Sequence, residues 1–128
     1  MTLRLLHRVY GVVVVLVFLG TGQYMLHRHP AMTELAANSR MLYRSAHIYL
    51  VMSGLLNLAV GAYIVPRRLK WLQWAGSIFL VVAPALLFAG FCRESIQPGI
   101  DRPLTSSGVY LAFAGVLLHF AASFSPGP

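Results

Sequence analysis

An all-α membrane protein of four transmembrane helices, packed up-down-up-down with short connectors, is what this 128-residue sequence predicts. Three observations carry that expectation. Hydrophobic residues make up 58% of the chain and charged residues only 10%, against about 25% charged in an ordinary soluble domain. Mean hydropathy is +0.70. With the charged residues taken as boundaries, four apolar stretches remain, spanning about residues 9–27, 44–66, 70–92 and 105–124, each close to the roughly 20 residues that a helix needs to cross about 30 Å of hydrocarbon. A soluble helix would instead alternate polar and apolar faces with a period of about 3.6 residues. The chain therefore reads as a single membrane domain over residues 1–128.

The first span opens at Arg4, His7 and Arg8 and continues through VYGVVVVLVFLGTGQYML. A basic start, an apolar run and small residues also describe a secretory signal, but roughly 19 uncharged residues exceed the 7 to 15 of a signal core, and an uncleaved signal anchor fits better. The second span opens on RMLYRSAHIYL, residues 40–50. On a helix Arg40, Arg44 and His47 fall within about 60° of one another. The two arginines are expected to snorkel to the interface and meet Glu34, Glu94 and Asp101, the three acids of the chain. The third span begins with Trp71 and Trp74 beside Arg67, Arg68 and Lys70, the aromatic and basic belt of a membrane interface. Near its middle Pro84 removes one backbone hydrogen bond. On the fourth span Gly108, Ala112, Gly115, His119 and Ala122 project to one face, and small residues there allow the close approach that helix association in lipid requires. The second span has a comparable sector of Ala46, Ser53, Gly54, Asn57 and Gly61, with Asn57 placed for an interhelical hydrogen bond.

With four spans, the N-terminus, the 66–70 connector and the C-terminus share one side of the membrane. That side holds Arg4, Arg8, Arg67, Arg68 and Lys70 in short segments without an acid, whereas Arg28, Arg40, Arg44, Arg93 and Arg102 are spread over longer ones. Positive-charge density near the spans places both termini in the cytoplasm of a bacterial inner membrane. The net charge of +7 suits anionic lipid headgroups, and no basic stripe interleaved with polar contacts suggests a nucleic acid.

No carboxylate lies inside a span, so paired-carboxylate catalysis and proton coupling through a buried acid lack their residues. The single cysteine, Cys92, excludes an internal disulfide and a multi-cysteine metal site. The serines have no base near them in sequence. These features point away from an enzyme. What remains is five histidines in two layers, His7 and His119 toward one face, His27, His29 and His47 toward the other. Neutral imidazole ligates iron, zinc and copper, and the glycines beside these histidines would leave a slot for a flat ligand. His7, His47 and His119, with Arg44 for propionates, are thus candidates for a b-type haem or a quinone in electron transfer. The stretch LHRVYG, residues 6–11, resembles the His-Arg-x-x-Gly opening of a transmembrane helix in membrane cytochrome b and in anchor subunits such as those of succinate dehydrogenase. That resemblance implies a haem or quinone environment near His7 and Arg8. Two other readings stand beside it. Met25, His27, His29 and Met32 in YMLHRHPAM combine thioether and imidazole, a donor set suited to copper. Four spans with minimal loops also suit an accessory or assembly subunit that binds other membrane-protein subunits.

Overall fold

The computed structural model describes residues 2–96 and 101–125, and these form four long helices: α1 (Leu3–His27), α2 (Ala37–Tyr63), α3 (Lys70–Arg93) and α4 (Pro103–Ser123). The shortest has 21 residues, about 32 Å of axial rise at 1.5 Å per residue, enough to cross the hydrocarbon. All four are long and apolar enough to span a membrane, and the chain is a multi-pass membrane protein with a four-helix bundle.

Helix ends follow local chemistry. Thr2 caps α1 by accepting a hydrogen bond from the Leu5 N–H at 3.3 Å, so the helix starts six residues before the expected span, carrying Arg4, His7 and Arg8 with it. The second helix likewise begins at Ala37, ahead of Arg40 and Arg44, and stops at Tyr63 before Pro66. Pro103 occupies the first turn of α4, where its missing N–H costs nothing. The cap of that helix comes from elsewhere: both Glu94 oxygens accept from its first turn, from the Leu104 N–H at 2.6 Å and from the Thr105 N–H at 3.1 Å, with the Thr105 hydroxyl as a third donor. Glu94 is accordingly buried.

This corrects the expected partnership of the basic stripe. Glu94 is spent on α4, and Glu34 accepts from the Ala31 N–H of its own turn at 3.3 Å. Neither serves Arg40 or Arg44. The physical reason is the local field: an unpaired helix N-terminus is a stronger and closer site for a carboxylate than a mobile arginine at an interface.

Consecutive helices are neighbours, with α1 against α2, α2 against α3 and α3 against α4, and few contacts cross the diagonals. Their direction alternates, because His7 at the start of α1 meets Asn57 late in α2, Ser77 early in α3 and, through Ser77, His119 late in α4. Packing is tight where glycines face helices. A methyl group on Gly61 would stand 2.8 Å from the Arg8 nitrogen of α1, and one on Gly76 would stand 2.9 Å from the Gly115 oxygen of α4. At the opposite end Tyr43, Ala46, Leu50, Leu87 and Phe91 form the apolar core between α2 and α3. Arg28 covers it, with its guanidinium 4.9 Å from the Tyr43 ring.

Candidate functional site

All four helices contribute a polar side chain to one buried cluster. His7, Asn57 and Ser77 have 0%, 0% and 1% of their surface exposed. His7 Nδ1 lies 2.7 Å from Asn57 Oδ1, and His7 Nε2 lies 2.8 Å from Ser77 Oγ. On its other side Ser77 Oγ lies 3.2 Å from His119 Nε2. Asn57 Nδ2 gives its two hydrogens to the carbonyls of Ser53 and Leu80, each at 2.9 Å. The Leu80 carbonyl is the one that Pro84, four residues on and lacking an N–H, leaves without its helical donor. Tyr10 donates to the next carbonyl, Val81, at 2.7 Å. The carbonyls one turn before Pro84 are thereby satisfied by side chains of α1 and α2, as membrane depth demands.

The proton order along this chain follows from its donors. Since both Asn57 Nδ2 hydrogens are committed to carbonyls, Oδ1 is the atom that faces His7 and can only accept. His7 therefore carries its hydrogen on Nδ1, and its Nε2 is an acceptor for the Ser77 hydroxyl. The Ser77 oxygen then accepts from His119 Nε2–H, so His119 presents Nδ1 as a bare acceptor. Assigned in this way, every member from Leu80 to His119 has a defined role. His119 is the member that reaches a cavity. It helps line a crevice of about 330 Å³ between α2 and α4, walled by Leu56, Val60, Val116 and Phe120 and lined also by Arg67 and Gln73.

No family model, curated protein or solved structure matches this chain. Function must therefore be argued from the geometry.

His7 and His119 come together as expected, with ring centroids 5.7 Å apart and planes at 81°. They do not fit a haem. Both Nε2 atoms converge on a single hydroxyl, which leaves no plane between them for a macrocycle, and the small-residue face of α4 is filled by α3 at Gly76 and Gly115. His47 belongs to a separate site: its Nδ1 lies 2.9 Å from Thr21 Oγ and its ring stacks on Phe18 at 4.1 Å. Arg44 is exposed on the same half of α2 as His47, far along the helix from Asn57. The Met25, His27, His29 and Met32 group is not assembled either. Met25 and Met32 pack against the apolar core, whereas His27 and His29 are exposed, with His27 Nδ1 turned to the Gln23 carbonyl of its own helix.

Ser77 was not among the expected residues, because serine is common in membrane helices and nothing marks it locally. The signal that points to it is combinatorial: Gln73 and Ser77 share one face of α3 with Pro84, so two polar side chains lie on the face of the proline. Tertiary packing also gives Ser77 the base that its sequence neighbours lack. Ser77, His7 and Asn57 have the connectivity of nucleophile, base and orienting group, but Ser77 is enclosed and its oxygen is held by a second imidazole. A substrate has no route to it.

Proposed function

We propose that the protein binds the head of a lipid-soluble quinone in the α2–α4 crevice, with His119 as the residue that recognises it. The observation that carries this reading is the imidazole of His119, held in one tautomer by a buried relay through Nε2 and lining a crevice whose walls are mostly apolar. Its volume of about 330 Å³ lies in the range of small-ligand sites. A quinol offers a hydroxyl, which Nδ1 accepts; the oxidised form offers a carbonyl, for which the Arg67 guanidinium supplies donors. The apolar walls suit an isoprenoid tail. Side chains alone support binding here, and electron transfer would require a redox partner that supplies or takes the electrons. The bacterial inner membrane, with both termini in the cytoplasm, is the setting in which the basic density of the 66–70 connector supports this role.

Equilibrium titration of the purified full chain in nanodiscs with a short-chain benzoquinol tests the proposal. We expect saturable binding that weakens at least tenfold, about 1.4 kcal/mol, in His119→Leu, and that is unchanged in His29→Ala. Equal affinity of His119→Leu and the unaltered chain would refute it.

A further inference from the structure

The α1 and α3 N-termini and the start of the α2–α3 connector border a second cavity, of about 460 Å³, lined by Thr2, Arg4, Ile64, Lys70, Gln73 and Trp74 among others. Its chemistry differs from that of the quinone crevice. Arg4 is anchored, donating from one terminal nitrogen to the Ile64 carbonyl at 3.0 Å, which leaves the rest of its guanidinium for a ligand. Thr2 Oγ accepts from the Leu5 N–H, so its hydroxyl hydrogen is available to donate. Trp74 is half exposed and brings an indole N–H, and Lys70 brings an ammonium. Arg4 and Lys70 are cationic, the Gln73 carboxamide is spent on the Arg67 N–H and the Val65 carbonyl, and no lining side chain is an acid. The first turns of both α1 and α3 contain no acid, and no side chain caps α3. The three acids of the chain lie at the other end of the bundle, with Glu34 after α1, Glu94 after α3 and Asp101 before α4. Arg8, Arg67 and Arg68 add positive charge at this end.

We propose that this cavity holds the phosphate of one anionic phospholipid. A cationic cleft with no internal carboxylate is completed by an anion, and phosphate matches a guanidinium fork together with an ammonium. Its depth favours a lipid over a soluble anion: Trp71 and Trp74 mark this as the headgroup level of the bilayer, so a phosphate diester arrives there already attached to acyl chains that continue along the apolar outer face of α3. The site shares Ile64 and Gln73 with the quinone crevice but neither His119 nor the buried relay. The two proposals can therefore fail separately.

Native mass spectrometry of the full chain, released from micelles doped with equal amounts of phosphatidylglycerol and phosphatidylcholine, tests the assignment. One phosphatidylglycerol per chain should survive in preference to phosphatidylcholine, and its retention should drop at least tenfold in Lys70→Gln and in the double variant Arg4→Gln/Lys70→Gln. Arg68→Gln removes an equal charge from the same end without altering the cavity lining, and should change retention less than twofold. Equal losses in Lys70→Gln and Arg68→Gln would overturn the site in favour of diffuse attraction to the basic end. Displacement of the lipid by millimolar inorganic phosphate would overturn the lipid as occupant. Lys70 is exposed, so the fold should survive its substitution, and an unchanged melting temperature for Lys70→Gln makes loss of lipid attributable to the site.

Discussion

Asn57 and Pro84 should be energetically coupled although no side-chain bond joins them. Replacing Asn57 with leucine, close to it in volume, removes the acceptor of His7 Nδ1–H and the donor to the Leu80 carbonyl. Interhelical hydrogen bonds in membranes average about 0.6 kcal/mol and reach about 1.7, so two of them set an expected loss of about 1 to 3 kcal/mol. Part of that loss exists because Pro84 withholds an N–H from Leu80. In a Pro84→Ala background the helix supplies the missing donor, and the Leu80 share of the penalty should vanish. Asn57→Leu should then cost about 0.6 to 1.7 kcal/mol less than in the parent chain. Reversible denaturation in bicelles of the four proteins of this cycle measures the difference directly. Equal costs in the two backgrounds, within about 0.3 kcal/mol, would show that Asn57 does not stand in for the lost helical bond, and the account of its role at Pro84 would fall.

Other consequences can be checked with the same preparation. Gly76→Leu should push α3 from α4, since even a methyl group there would sit 2.9 Å from the Gly115 oxygen; a loss of about 1 to 3 kcal/mol is expected, while Gly20→Ala, with nothing within 4 Å, should leave stability unchanged or slightly raised. Glu94→Ala should lower stability by about 1 to 2 kcal/mol by uncapping α4, with faster hydrogen exchange at Leu104 and Thr105 and none of that change at α1. Ser77→Ala separates His7 from His119; if the relay holds the tautomer of His119, quinol affinity should fall severalfold with no change in the crevice lining, and an unaltered affinity would dismiss the relay as a determinant of binding. Reporter fusions at the two termini should both give cytoplasmic signals; periplasmic signals from both would reverse the assigned orientation, and a split result would overturn the four-span topology.

The sequence by itself determined the setting and the outline. Its four apolar runs are long because each backbone must satisfy its own hydrogen bonds in lipid, and that requirement is written locally, residue by residue. The glycine and alanine faces of α2 and α4 were legible for the same reason, as was Asn57, because a carboxamide at membrane depth has few alternatives to a partner helix. Only tertiary structure decided what the histidines do. Whether two imidazoles flank a slot or share a hydroxyl depends on whether the small residues beside them face open space or a neighbouring helix, and Gly76 meeting Gly115 closed that gap. Ser77 acquired its role from three other helices at once. Glu94 was claimed by α4 before any arginine could reach it, because the N–H groups of a helix start compete at short range and a sequence pattern carries no distances.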